Sequence, residues 1–473
     1  MFKGFTRFLQ RPGERLKTLF GAQEASGPVT PSLRVIPRDQ HNVSRRLFSE
    51  NALKVLYRLH NAGHEAYLVG GCVRDSLLGK VPKDFDIATD ATPEEIRTLF
   101  RNSRIIGRRF RIVHVRFGRE IIEVTTFRGR PGDDHDDTLS QQSDDGLLLR
   151  DNVWGTIEED ALRRDFTVNA LYYNIADFSI HDWADGVSDI DERTLRLIGD
   201  PEVRYREDPV RMLRAVRFAA KLDFDIEPRT EAPIGELAPL LLQIPPARLF
   251  EEVLKLFLSG HALRTFELLR EYGLFAMLFP ETDETLAEYD WAQPLIEQAL
   301  INTDRRIQED RPVTPAFLYG AMLWPGMRLR AERLEAEGMP PIPAQQTASQ
   351  QSISRQLQHT SIPKRFSLPM REIWDLQQHL PKRRGKRAFQ TLEHKRFRAA
   401  YDFLLLRETA GEIEPGLGDW WTAFQDGDEH EQARLIAKTG GHPAGTSDRP
   451  KRRPRRRRRR NSNAGQPNDG RDE

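Results

Sequence analysis

The sequence has little that would anchor it outside a reducing compartment. Cys72 is its one cysteine, which excludes an intramolecular disulfide framework and any Cys-rich zinc site. No run approaches the roughly 18–20 consecutive apolar residues of a membrane span. The first residues, MFKGFTRFLQRPGERL, hold no apolar stretch and no small-residue cleavage site of the secretory kind. The expectation is a cytoplasmic protein without stable membrane insertion. No Walker A sequence is present, so a P-loop ATPase is not supported.

What is present is charge, unevenly placed. The formal net charge of the 473 residues is +1. Yet residues 449–460 read RPKRRPRRRRRR, ten cations and no acid. The rest of the chain is therefore acidic, at about −9, and carries a polycationic tail that calls for a polyanionic partner.

The patterning predicts an α+β protein: a small mixed head followed by a long all-α neck and body. Residues 1–34 lack periodicity and read as a flexible extension. Phe2, Phe5, Phe8 and Leu9 leave peripheral membrane contact open as an alternative to a frayed end. A helix is expected over Ser49–Leu59, ended by Gly63. AYLVGG reads as a buried strand ending in a glycine pair, followed by a helix over CVRDSLLG. TPEEIRTLF carries a helix start, with Thr92 as N-cap, Pro93 first in the helix and Glu95 closing a capping box. Two strands, RIVHVRFG and EIIEVTTFR, follow. The Asp-rich stretch from Gly129 to Arg150 reads as a loop. Helical patterning then runs to about residue 425. The divisions are a head over 35–190, a neck over 191–260, a body over 261–425 and a disordered Arg-rich tail over 426–473.

The chemistry concentrates in VGGCVRDSLLG…KDFDIAT. Residues two apart in a strand face one side, so Asp84 and Asp86 project together with Phe85 opposite. Two carboxylates on one face invite a hard divalent cation such as Mg²⁺, which shares phosphate oxygens readily. Taken alone, Asp-x-Asp reads more simply as an exposed strand edge. Gly70 and Gly71 shift that balance: without side chains, a strand-to-helix turn lets phosphate oxygens approach backbone N–H groups. Arg74 adds a cation one turn later. A third carboxylate comes from either Glu123 or Asp165, and each also has a bland reading as an ion-pair partner.

Together with IIEVTTFRG, EEDALRRDFTVNALYY and REDPVRMLRAVRFAAKL, in that order, this string resembles the class II nucleotidyltransferases, the family of tRNA CCA-adding enzymes and bacterial poly(A) polymerases. IIGRRFRIVHV, from Ile105 to Val115, the N-terminal extension and the arginine tail resemble the poly(A) polymerase branch. The resemblance implies a polymerase-β-like head with helical neck and body. It implies ATP as substrate, two Mg²⁺ ions held by Asp84 and Asp86, and in-line attack by an RNA 3′-hydroxyl with loss of pyrophosphate. It puts the third essential carboxylate at Asp165, with Glu123 kept as a further candidate ligand. It implies that Arg74, Arg128 and Arg164, with the glycine pair, hold the nucleotide. Asp208 and Arg211 would read the adenine edge, a carboxylate accepting from N6 and a guanidinium donating to N1. The same pair suits cytosine, so these groups alone do not exclude CTP. By themselves the residues of REDPVRMLR read as a capped helix, Asp208 at the cap and Pro209 in the first turn.

Lys364 and Arg365, then Lys382, Arg383, Arg384, Lys386 and Arg387, are the expected RNA contacts, cationic groups beside an aromatic that track a strand without reading it. The arginine tail would tether RNA by counterion release. The family implies polyadenylation that promotes RNA turnover, with RNA-decay proteins as partners. The alternatives are a CCA-adding tRNA nucleotidyltransferase and a non-catalytic RNA-binding protein. His135-Asp136 and His181-Asp182 suggest a His-Asp phosphohydrolase, but further ligands for one cannot be assembled.

Overall fold

The structure is a computed structural model that describes residues 32–107, 111–129, 140–142, 148–151 and 153–439. The GRRF arginines, His135-Asp136, the arginine run 449–460 and nearly all of the N-terminal extension lie outside these residues. The segment expected to be disordered from residue 426 instead carries a helix, Glu429–Lys438, whose start Asp428 caps by accepting the Glu431 N–H. The chain divides into two compact units, Met1–Met370 and Arg371–Glu473.

The first unit opens with an eight-stranded sheet. Its strands are β1 (Arg34–Ile36), β2 (Ala66–Val69), β3 (Asp86–Thr89), β4 (Ser103–Ile106), β5 (Ile112–Phe117) and β6 (Glu120–Thr126), joined after a small separate hairpin, β7 (Ser140–Gln142) and β8 (Leu148–Asp151), by β9 (Leu171–Asn174) and β10 (Ile180–Asp182). The order is β1-β10-β9-β2-β3-β6-β5-β4. Only the β3–β6 pair among the sheet's contacts is parallel. The others are antiparallel.

Local sequence rules are obeyed closely. The helix α1 (Glu50–Asn61) starts at Ser49, whose side chain accepts from the Ala52 N–H. Its apolar stripe, Ala52, Val55, Leu56 and Leu59, is buried. In α2 (Gly71–Leu77), Cys72 and Val73 turn inward. The helix α3 (Pro93–Leu99) carries the full Thr92–Glu95 capping box. The strand after KDF begins at Asp86, not at Asp84, where pairing with Val69 and Glu123 starts; Phe85 before it is buried. Helices dominate after the sheet. Those that touch the site are α4 (Ile157–Leu162), α5 (Pro201–Glu207), α6 (Val210–Leu222) and α7 (Pro246–Phe257).

The second unit begins within the helix Lys364–Gln377. Its core gathers Trp421, Phe424, Phe397, Leu404 and Leu380. Trp421 satisfies its buried N–H by donating to the Leu380 carbonyl at 3.0 Å.

Candidate active site

Two turns bring the chemistry together at one end of the sheet. The first is Gly70, with φ +73°. A Cβ there would stand 3.6 Å from the Asn169 carbonyl and 3.7 Å from Arg164 Nη1. A left-handed backbone pressed against the RRDF segment therefore suits glycine.

The second is the start of β3. Asp86 pairs in register with Val69 on β2 and with Glu123 on β6. Parallel pairing puts the two carboxylate-bearing residues side by side. Asp84 is exposed two residues earlier. Glu123 Oε1 also lies 3.1 Å from His114 Nε2 on the neighbouring strand. Asp86 is open to solvent, yet it sits in a recess crowded by protein. Its carboxyl is pushed up to about 6, by desolvation first, then by the charges of Glu123 and Asp84, against the pull of Arg164. Among the described residues no three His, Cys, Asp or Glu side chains are already gathered as a ligand group. The donor chemistry nonetheless fits a hard cation: oxygen ligands whose mutual repulsion a positive ion would relieve.

Asp165 is oriented elsewhere. One oxygen accepts from Arg214 Nε at 2.7 Å; the other accepts from the Phe166 N–H at 2.8 Å and from Asn169 Nδ2 at 3.2 Å. Burial by itself would raise its pKa, but Arg214 and these hydrogen bonds hold it down at about 2. Glu123 is the carboxylate in register with Asp86. Asn169 was not singled out from sequence; it also accepts from Arg74 Nη1. Its signal lay in the string RRDFTVN, where it stands four residues after Asp165.

Arg74 is buried at 2% exposure. Its guanidinium is bound to Asp75 at 2.9 and 2.6 Å and to Asn169. It ties the α2 turn to the RRDF segment. The Gly70–Gly71 turn and Arg164 are brought together as expected. Arg164 donates to Asp160 at 2.9 Å and to the Tyr172 hydroxyl at 2.7 Å, and Tyr172 donates to Asp160 at 2.6 Å. These partners keep Arg164 charged despite its burial.

Around it the cations crowd. Burial lowers Arg128, with Arg164 adding to the effect. Arg163 falls to about 8, by burial and by the charges of Arg128, Arg164, Arg204 and Arg211. A nest of five guanidiniums beside a carboxylate recess is chemically suited to a polyphosphate.

Asp208 lies between α5 and α6. Its carboxylate accepts the Val210 N–H at 3.3 Å, and Arg248 on α7 donates to it at 2.6 Å. The sequence placed Asp208 at the cap and Pro209 first in the helix; instead Pro209 is the N-cap of Val210–Leu222, and Asp208 stands one residue earlier, ending the preceding helix. Arg211 donates to Glu207 at 2.8 Å and to the Arg204 carbonyl at 2.7 Å. Arg248 and Glu207 were not named from sequence; Arg248 is 40 residues from its partner.

In the first unit Lys364 and Arg365 are exposed, with Arg365 over the Phe366 ring at 4.8 Å. In the second, Lys382, Arg384, Lys386 and Arg387 are exposed. Arg383 differs: it is half-buried, its guanidinium 5.3 Å from the Trp420 ring centre. The His181-Asp182 pair is structural. His181 packs between Tyr67 and Trp183, and Asp182 accepts the N–H groups of Ala184, Gly186 and Val187.

This sheet, its paired carboxylates and the cationic nest define a nucleotidyltransferase head. The solved Bacillus stearothermophilus CCA-adding enzyme in complex with CTP shares the fold, with 27% identity, a TM-score of 0.52 and 82% of each chain covered. Three family profiles match: the poly A polymerase head domain over residues 66–196, a probable RNA and SrmB-binding site of polymerase A over 223–286, and the polymerase A arginine-rich C-terminus over 337–461. Poly(A) polymerase I of Salmonella typhi is 52% identical over 421 residues, 88% of this chain and 90% of that protein. Poly(A) polymerase I of Escherichia coli O6:H1 is 51% identical over 432 residues, 90% and 92% of the two chains. The chain belongs to the bacterial poly(A) polymerase I family.

Proposed function

We propose that this chain adds AMP residues from ATP to RNA 3′ ends without a template, releasing pyrophosphate. The observation that carries the reading is the Asp86–Glu123 register pair with Arg164 near enough to act on Asp86, in a chain whose poly(A) polymerase I relatives match nearly end to end.

Asp84 and Asp86, with Glu123 beside them, are the residues that would hold two Mg²⁺ ions. When bound, these supply activation of the 3′-hydroxyl and neutralise charge on the leaving pyrophosphate. The chain's own groups do the rest. The Gly70–Gly71 turn leaves room for the triphosphate. Arg128 and Arg164 counter its charge, and Arg164 is held in place by Asp160 and Tyr172. Asp165 anchors Arg214 on the first long neck helix and so aligns the neck (191–260) with the head (35–190). Asp208 and Arg211 read the base. The body (261–425), through its exposed lysines and arginines, and the Arg-rich tail hold the RNA. The product's role is in RNA turnover, with RNA-decay proteins as downstream partners. No helix among the described residues is long and apolar enough to cross a membrane.

The test is incorporation with Mg²⁺, offering ATP or CTP separately to an unstructured RNA and to a tRNA lacking its CCA end. Long ladders with ATP on the unstructured RNA, and little use of CTP, are expected. A short C-C-A addition confined to the trimmed tRNA would overturn the substrate assignment and leave the fold standing.

A further inference from the structure

The sheet has a second charged surface, on the side away from the carboxylates. Tyr172 and Tyr173 are adjacent on β9, so their side chains leave opposite faces. Tyr172 touches Arg164 on the catalytic face. Tyr173 packs against Phe48 on the other face, where Phe48 also meets Phe85.

Two open pockets on that side, of about 690 Å³ and 380 Å³, share Leu53 and Tyr57 and so form one groove along α1. Its smaller end is walled by Arg38, Arg45, Arg46, Tyr57, Tyr173 and Phe178. Its larger end adds Lys54 and Arg58, and one acid, Glu50, which is 3.6 Å from Lys54. Five cations therefore face one carboxylate. The aromatic floor is organised: Arg45 donates to the Tyr57 hydroxyl at 2.6 Å and lies 4.2 Å from the Phe178 ring centre. The Tyr173 hydroxyl is buried there without a hydrogen-bond partner among the described residues. A buried unmatched hydroxyl is costly and is satisfied when an acceptor arrives.

A long, open, cationic groove with flat aromatic sides fits a polymer of phosphates and bases better than an enclosed small anion. We propose that this groove binds single-stranded RNA upstream of the reacting 3′ end, through phosphates at Arg38, Arg46, Lys54 and Arg58 and a base against Tyr57 and Phe178. The proposal rests on the reading that the chain extends RNA 3′ ends. It adds a contact far from the chemistry that only a long substrate reaches.

The experiment uses the full chain and two RNAs, a hexamer and a thirty-nucleotide oligo(A). The variant R38A/R46A/K54A is compared with its charge-keeping counterpart R38K/R46K/K54R. Expected is a loss of affinity of about tenfold or more for the long RNA in the alanine variant. The slope of log K against log salt should shrink by about 2, as for three lost single-strand phosphate contacts. Hexamer extension should be unchanged, and the charge-keeping variant should bind like the parent. A 4-thiouridine placed about twelve nucleotides upstream should crosslink to Tyr57 or Phe178. An unchanged slope with the long RNA overturns the proposal. So does an equal loss on both RNAs, which would mark a disturbed fold. Failure of hexamer extension in the parent chain would instead overturn the polymerase reading itself.

Discussion

Arg214, on the neck helix, donates from Nε to Asp165 Oδ2 at 2.7 Å, across 49 residues of sequence. Asp165 thereby acts as a clamp between the RRDF turn and the neck. Asp165→Asn is expected to leave the Arg214 cation without its counter-charge. Breaking such a pair costs about 3–5 kcal/mol when fully buried, and less here because Arg214 is a third exposed. Incorporation should fall sharply while the Mg²⁺ concentration for half-maximal rate stays in place. A large shift in that Mg²⁺ requirement would make Asp165 a ligand after all.

The same pair sets a pH dependence. Asp165 is held at about 2, below the ordinary 3.8. A depressed carboxylate contributes stability that is complete above 3.8 and is lost as pH falls from there through about 2. Denaturant melts of the parent should therefore lose more stability between pH 4 and about 2 than those of Asp165→Asn. Parallel curves would show that the pair is not coupled to folding.

Asp84→Ala and Asp86→Asn should reduce incorporation to background while RNA binding persists, measured by primer extension and filter binding. Glu123→Gln should raise the Mg²⁺ requirement about 10–100-fold, the usual effect of removing a group that supports metal ligands. Full activity in Asp84→Ala would remove the metal assignment.

Arg248 donates to Asp208 at 2.6 Å and Arg211 donates to Glu207 at 2.8 Å, so both residues proposed to read the base are held by protein partners. Arg248→Gln should lower the ATP-to-CTP preference about tenfold in kcat/KM, roughly 1.4 kcal/mol of discrimination. Arg248→Lys should restore part of it. Equal losses with both nucleotides would assign Arg248 to stability alone.

Removing residues 449–473 takes away the ten clustered cations. RNA binding should weaken most at low salt, with a smaller salt slope in a titration series. An unaltered slope would mean that the tail makes no phosphate contacts.

Much was legible without coordinates because it is local. The Thr92 capping box, the helix opening at Ser49 and the hairpin of β5 and β6 depend on residues within a few positions of one another. The burial of Phe85 between two exposed aspartates was read from strand alternation, although the strand itself starts only at Asp86. The partners of Arg74 were not legible in this way, because Asp75 and Asn169, the second of them 95 residues away, together give its buried guanidinium three acceptor contacts.

The sequence by itself determined the kind of chemistry: paired acidic oxygens, a glycine turn, clustered arginines and a cationic tail. Those properties follow from residue type and short spacing. Only the tertiary structure decided which carboxylate stands in register with Asp86. Sequence left Glu123 and Asp165 open, and the parallel β3–β6 register settles their places, with Glu123 opposite Asp86 and Asp165 drawn to Arg214. It also decided that Arg248 backs Asp208 and that a cationic groove lies behind the sheet. Such relationships depend on strand register and helix packing between distant segments, and no periodicity along one segment encodes them.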